Sequence, residues 1–206
     1  MIKNIIFDMG GVIFDLSHEE AVRRFGALGV PEPDKWLNAS HQEGIFGLLE
    51  GGLVTCEEFR RGVSALAGKE LSHAQCEYAW KGFIHNLPQR NLDKLLELRA
   101  RGYKLFLLSN TNPYVTAWAH SSEFSPQGNP MDYYFDALYF SCDLKLMKPS
   151  AEIFQIVLDR EGLVPEETLF VDDSPRNAAA GEALGLHTMI PVNKEDWTSS
   201  IDSYLK

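Results

Sequence analysis

Residues 3–15 read Lys3-Asn4-Ile5-Ile6-Phe7-Asp8-Met9-Gly10-Gly11-Val12-Ile13-Phe14-Asp15. A short apolar run, Ile5-Ile6-Phe7, leads straight into the carboxylate of Asp8 and then into two glycines. Open α/β sheets present reactive groups to ligands in this manner, at the carboxyl end of a buried strand. Glycine at such a place lets the backbone turn sharply and approach a small ligand closely. Taken alone, the pattern is equally that of an ordinary turn, because Asp and Gly both favour turns on steric grounds. The meaning of Asp8 depends on the partners that the rest of the chain supplies.

The 206 residues suffice for one sizeable core, or for a core with a small inserted module. A net charge of −10 without any basic run argues against a nucleic acid or an anionic membrane as partner. Small anionic ligands stay possible, since local groups hold them. Cys56, Cys76 and Cys142 are widely spaced and odd in number, so they suggest free thiols rather than a disulfide framework or a zinc site. No basic-then-apolar leader and no apolar run of membrane-spanning length is visible, and the expected location is the cytoplasm.

Past Asp15 the strand signals give way to helical periodicity. Val22, Phe25 and Leu28 share one helical face, and Gly29 reads as a stop. Asp34 is placed to cap a short segment holding Trp36 and Leu37. Thr55 with Glu58, and Ser72 with Gln75, have capping-box spacing. Residues 16–85 thus read as all-helical, with about four helices, a size that suits a small bundle. Trp36, Trp80 and Trp118 read as core.

From Pro88 onward helix and strand alternate. The expected strands are Lys104–Leu108, Phe135–Ser141, Leu169–Val171 and His187–Val192, with helices beginning near Pro113, after Pro149 and at Pro175. Near-continuous apolar strands between helices indicate a parallel sheet covered on both faces. The architecture that follows is α/β. A Rossmann-like, doubly wound parallel sheet is formed by residues 1–15 and 86–206, with an all-helical cap, residues 16–85, inserted after the first strand.

In such a sheet the carboxyl ends of all strands share one edge. Asp8, Ser109-Asn110 and Asp172-Asp173 each sit where an apolar strand ends, and Lys148 lies in the loop beyond the third core strand. Each has an ordinary reading as a turn, cap or solvated residue. Their convergence outweighs those readings. Three acids repel one another unless a divalent cation lies among them. Oxygen ligands and a small hard cation point to Mg²⁺, which keeps waters and binds substrate phosphate. Ser109, the backbone around Asn110 and Lys148 are suitable groups for holding phosphate oxygens.

The segments FDMGGVIFD, LLSNTN, MKPSAEIF and LFVDDSPRN, in this order, resemble the four motifs of the haloacid dehalogenase-like (HAD) hydrolase superfamily. They span the core end to end, and the insertion after the first resembles that superfamily's small helical cap. The resemblance implies that Asp8 is the nucleophile, forming an aspartyl-phosphate, and that Ser109 and Lys148 bind the transferring phosphoryl group. It also implies that Asp173, with Asp172 beside it, the Asp8 carboxylate and the Gly10 carbonyl hold Mg²⁺.

One position departs from the pattern. Phosphatases of this superfamily usually carry a second aspartate two residues after the nucleophile, as general acid and base, and here that residue is Gly10. The sugar-1-phosphate phosphatase branch resembles this variant, and an anomeric leaving oxygen depends less on an acid. Asp15 is the nearest spare carboxylate, while His18, His41 and Glu43 are candidate polar groups of the cap, with Phe46, Leu48 and Leu49 beside them as pocket or core. The expectation is a Mg²⁺-dependent phosphatase of a small phosphorylated metabolite. The alternatives are a slow or non-catalytic phospho-ligand binder, favoured only by Gly10, and a metal-free haloacid dehalogenase, disfavoured by the acid pair.

Overall fold

The protein was analysed as a computed structural model, which describes residues 1–38 and 42–205. The chain begins with β1 (Asn4–Phe7) and the two-residue β2 (Asp15–Leu16). Five helices follow, α1 (His18–Ala27), α2 (Pro33–Trp36), α3 (Gly44–Glu50), α4 (Cys56–Ala67) and α5 (His73–Trp80), and then β3 (Ile84–Asn86). Helix and strand alternate thereafter: α6 (Gln89–Ala100), β4 (Lys104–Ser109), α7 (Pro113–Ala119), β5 (Ala137–Phe140) and α8 (Ser141–Leu144). The chain closes with α9 (Ala151–Glu161), β6 (Thr168–Val171), α10 (Pro175–Ala183) and β7 (His187–Met189).

β1 is the central strand of a parallel sheet of order β5-β4-β1-β6-β7. Ile5 stands between Leu105 and Leu169, and Phe7 between Leu107 and Val171. Side chains alternate between faces, so each strand must bury both sets. Ile5, Phe7, Leu105, Leu107 and Val171 pack with Leu92, Leu95 and Leu98 of α6. Ile6, Phe106, Leu108 and Phe170 pack on the other face with Ile153, Phe154 and Val157 of α9. The chain runs β1, β4, β5 outward on one side and then crosses back to β6 and β7 on the other. The reversal falls at β1, which is where open α/β sheets bind ligands.

Helices α1 to α5 are inserted between β1 and β4 and close around aromatic side chains. Phe46 meets Phe25 edge-on at 5.0 Å and Phe59 at 5.2 Å, and Trp80 meets Phe25 at 5.6 Å. Each such pair adds about 0.5–1.5 kcal/mol beyond area burial. Capping boxes start α4 at Thr55 and α5 at Ser72, as their sequence spacing predicts. Phe46, Leu49, Trp80 and Trp118 are core, whereas Leu48 is 41% exposed.

Several elements differ from expectation. The insert has five helices among the described residues, one more than the spacing suggests: the additional one is α3, whose GIFGLLE sequence carries two glycines and whose cap residue Glu43 makes no side-chain capping bond. Glu32 takes the cap position of α2 with a left-handed backbone, and Asp34 lies within the first turn. Asp15 and Leu16 are extended and pair with Asn86 and Ile84, so the neck of the insert is a ribbon too short for alternation to reveal. The third core strand covers only Ala137–Phe140, because the Asp136 carboxylate takes the Leu105 N–H and Ser141 opens α8. The last strand stops at Met189, two residues before Pro191, which has no N–H for a ladder. Cys76 and Cys142 are buried free thiols and Cys56 is half-buried. Among the described residues no helix is long and apolar enough to cross a membrane.

Candidate active site

The sheet fixes Asp8 before any ligand does. Its N–H donates to Val171 O at 2.8 Å, extending the β1–β6 ladder by one residue, so the carboxyl projects just beyond the strand end. Asp172 is set likewise beyond β6, its N–H donating to Met189 O at 3.1 Å. Carboxylate oxygens of Asp8, Asp172 and Asp173 all lie within 4.8 Å of one another.

The turn after Asp8 is held from outside. The Asn91 amide donates at 3.0 Å to the carbonyls of both Val12 and Ile13, and the Trp197 indole N–H donates to Val12 O at 2.7 Å. Gly11 has φ +75°, and a Cβ built there would stand 2.3 Å from Asp173 Oδ2. This position needs glycine twice over, for the left-handed backbone and for the acid pressed against it. Gly10 is different: its Cβ would meet the Leu16 side chain, 2.9 Å from Cδ2.

Lys148 is buried in the centre of the cluster, its side chain 1% exposed. The ammonium donates to Asp8 Oδ1 at 2.8 Å, to Asp172 Oδ2 at 2.6 Å and to Leu108 O at 2.7 Å. All three of its protons are thereby used. The Asn110 amide grips the backbone of Lys148, accepting from its N–H at 2.8 Å and donating to its carbonyl at 2.9 Å. The Asn110 side chain is therefore a support for Lys148. Ser109, the last residue of β4, is buried on the same edge.

The two neighbouring acids play different parts. Asp172 is fully buried, and its oxygens accept from Lys148, from the Ser174 N–H at 2.9 Å and from the Asn177 amide, which reaches both at 3.1 Å. A carboxylate offers about four lone-pair sites, and those of Asp172 are filled. Asp173 is half-buried beside Gly11.

Burial pushes the Asp8 carboxyl up to about 6, with Asp172 adding to the rise and Lys148 opposing it. Burial, then repulsion from Asp8 and Asp172, pushes Asp173 up to about 7. Lys148 is drawn down by burial, but Asp172 and Asp8 outweigh that and hold it above its ordinary value. Three acids and a single cation leave an excess of negative charge in a confined space. A hard divalent cation with oxygen ligands fits this donor set, and its charge would return both raised carboxyls to their ionised forms.

Asp15 does not join the cluster; its carboxylate accepts from the Asn86 amide at 3.0 Å across the β2–β3 ribbon. The His18 ring is hydrogen-bonded to Leu37 O at 2.7 Å. Glu43 occupies the cap position of α3, and His41 lies outside the described residues. The supports Asn91 and Trp197 lie outside the motif segments, and Asn177 closes LFVDDSPRN with no role assigned to it from sequence. Asn91 nonetheless carries a signal, since it shares the helical face of Leu95 and Leu98 and so had to be a buried amide.

A family model described as haloacid dehalogenase-like hydrolase matches residues 2–185. A D-ribitol-5-phosphate phosphatase of Bacteroides thetaiotaomicron is 44% identical over 201 residues, 98% of this chain and 97% of that protein. A predicted HAD-like family hydrolase from Porphyromonas gingivalis superposes with a TM-score of 0.95 at 44% identity, over 100% of this chain and 98% of that one. A HAD family enzyme from Bacteroides thetaiotaomicron, solved as an aspartate-to-alanine mutant with magnesium and inorganic phosphate, gives 0.92 at 35% identity over 98% and 99%.

Proposed function

The chain belongs to the haloacid dehalogenase-like hydrolases, and from that premise we propose that it is a Mg²⁺-dependent phosphatase of small phosphorylated polyols or sugars. The observation that carries this reading is the meeting of Asp8, Asp173 and Lys148 at the reversal of the sheet. Asp8 is the nucleophile. At neutral pH it is mostly ionised, and Lys148 fixes the rotation of its carboxylate.

Its attack on phosphorus forms an acyl-phosphate bond as the bond to the substrate oxygen breaks, and that oxygen takes its proton from water. A water molecule then attacks the phosphorus, its oxygen staying on the phosphate and one proton passing to solvent, as the bond to Asp8 breaks and restores the carboxylate. Splitting the displacement in two keeps each step in line. Ser109 and the backbone around Asn110 hold the phosphoryl oxygens, and Lys148 joins them by exchanging its bond to the Asp8 carboxylate for one to a phosphoryl oxygen. Asp8, Asp173 and the Gly10 carbonyl hold Mg²⁺, and Asp172 serves by locking Lys148 in place. When bound, the cation offsets repulsion between Asp8 and the phosphate dianion. The helical insert, residues 16–85, acts as a lid over this edge and excludes water.

The relative's substrate is an open-chain polyol phosphate, so the substrate class is wider than the anomeric phosphates that Gly10 alone suggests. A metal-free dehalogenase would gain nothing from three mutually repelling acids. The test is phosphate release from ribitol 5-phosphate and from p-nitrophenyl phosphate, with Mg²⁺ or with EDTA. Turnover should need the metal and vanish in Asp8→Asn. Turnover that survives either chelation or that substitution sinks the reading.

A further inference from the structure

One buried acid has no part in this chemistry. Glu50 closes α3 and is 8% exposed. Burial alone accounts for the rise of its carboxyl to about 8, and among the described residues no cation or donor meets it. Its oxygens are not among the fully enclosed unpaired atoms, so what exposure Glu50 keeps reaches its carboxyl. Its neighbours on the same helical face, Phe46 and Leu49, are apolar and fully buried, so packing alone would favour another apolar side chain here. An acid kept where the fold gains nothing from it is the signature of a site that trades stability for function.

Its place in the molecule supplies the function. The Glu50 carbonyl accepts from Ser141 Oγ at 2.6 Å, and the same hydroxyl accepts from the Thr111 N–H at 2.9 Å and reaches Thr111 O at 3.1 Å. A Cβ on Gly52 would stand 2.0 Å from the Cys142 carbonyl, so the chain just past Glu50 lies directly on α8, the turn that follows β5. Thr111 adjoins Asn110, the support of Lys148, and lies two residues past Ser109. The carboxyl end of α3 is thus seated on the strand ends that carry the reacting groups.

We propose that Glu50 is the substrate-binding group of the helical insert, pairing with hydroxyls on the carbon chain of the phosphorylated substrate. This rests on the phosphatase reading above and names its ligand class: polyhydroxylated phosphates, in contrast to aryl or simple alkyl ones. A carboxylic acid in its neutral form donates one hydrogen bond and accepts others, which matches neighbouring hydroxyls. Neutral, it also spares an adjacent phosphate dianion the repulsion of an ionised acid. A site built to pair with hydroxyls rejects analogues that lack them, because its own buried group is then left unpaired.

The test compares Glu50→Met, which keeps length and removes pairing, with Glu50→Gln, which keeps pairing. Rates are measured with Mg²⁺ on ribitol 5-phosphate and on p-nitrophenyl phosphate, beside the melting temperature. Glu50→Met should raise KM for ribitol 5-phosphate ~10- to 100-fold, the effect of losing one or two such bonds. Its kcat/KM on the aryl phosphate should stay within about twofold and its melting temperature should hold or rise, as for a group that serves the ligand. Glu50→Gln should recover most of the loss. An equal loss on both substrates, or none on either, overturns the assignment. So does failure of both Glu50→Met and Glu50→Leu to fold, which would mean that the acid serves the fold. Wild-type turnover of the aryl phosphate but not of ribitol 5-phosphate refutes the hydroxyl subsite while the phosphatase stands. Wild-type turnover of neither removes both.

Discussion

Gly11→Ala is the smallest substitution that should separate metal holding from everything else in the site. An L-residue at φ +75° is strained by about 1–2 kcal/mol. The added methyl would also stand 2.3 Å from Asp173 Oδ2 and 2.7 Å from its Cγ. Comfortable non-bonded contacts lie near ~3.5 Å, so the acid must retreat by about 1 Å. Misplacing a reacting or positioning group by that much costs about 10²-fold in rate. The strain should lower the melting temperature by about 2–8 °C in a chain of this length. The three atoms nearest the added methyl all belong to Asp173, so Asp8, Lys148 and Asp172 should keep their geometry. A Mg²⁺ titration of phosphate release, beside a thermal melt, reads both effects. The expected result is a lower melting temperature, a higher Mg²⁺ requirement and turnover reduced about 10²-fold. A lower melting temperature with unchanged Mg²⁺ dependence would show that Asp173 does not face the metal.

The two adjacent acids should separate cleanly on substitution. Asp172→Asn disturbs the contacts to Lys148 and Asn177 and should cost about 3–5 kcal/mol, as broken buried ion pairs do, read from urea unfolding. Asp173→Asn should leave stability equal or higher, because its carboxyl is half-buried and repelled by Asp8, yet should weaken Mg²⁺ activation at least tenfold. The opposite pattern, with Asp172→Asn weakening Mg²⁺ activation and Asp173→Asn unfolding the chain, would refute these roles. Glu50 governs a pH dependence whose sign is fixed by linkage. Its carboxyl rises from 4.5 to about 8 on folding, so between these values the folded state keeps a proton that the unfolded chain releases. Stability is then full below 4.5 and falls as pH rises towards about 8. Glu50→Gln should flatten that fall, measured as the difference between wild-type and variant urea midpoints at about pH 5 and pH 8. Parallel curves would refute the burial of an ionisable group there.

What the sequence makes legible depends on the range of the forces involved. The strand ends are local facts: a run such as Ile5-Ile6-Phe7 must be buried, and the acid after it must fall on the strand's carboxyl edge. Parallel pairing then gathers Asp8, Ser109 and Asp172 without any further information, and that much of the site follows from pattern. The division of labour within it does not. Nothing in Asp172-Asp173 says which acid turns inward, because that is decided by Asn177 and by Lys148 across 24 residues. Nor does Asn110 announce that its side chain grips the backbone of Lys148, a contact between residues 38 apart in the chain. The β2–β3 ribbon is invisible because two residues carry no period. Glu50 stands between these cases: with Phe46 and Leu49 at four and one residues before it, it lies on an apolar face, where an acid is a signal in itself.

Gly10 is best understood together with Leu16. An acid at position 10 would need space that the Leu16 side chain fills, with Cδ2 2.9 Å and Cδ1 3.1 Å from where its Cβ would stand. Leu16 is held there. Its N–H donates to the Asn193 amide oxygen at 3.0 Å, that amide donates back to its carbonyl at 3.3 Å, and its strand pairs with β3. The missing acid is therefore one half of a matched arrangement, in which the neck of the insert presses an apolar residue onto the turn after Asp8. The kinetic consequence is bounded. General acid–base help is worth about 10²–10⁴-fold. Phosphoryl transfer draws most of its acceleration from positioning and from charge stabilisation. Those larger contributions need a carboxylate in line, cations on the transferring oxygens and a rigid frame. Asp8 at the end of β1, Lys148 braced by Asp172 and Asn110, and the turn braced by Asn91 and Trp197 supply the protein's share of them. A chain kept only to bind phosphate would have no need to hold Asp8 so rigidly, and that favours turnover over capture.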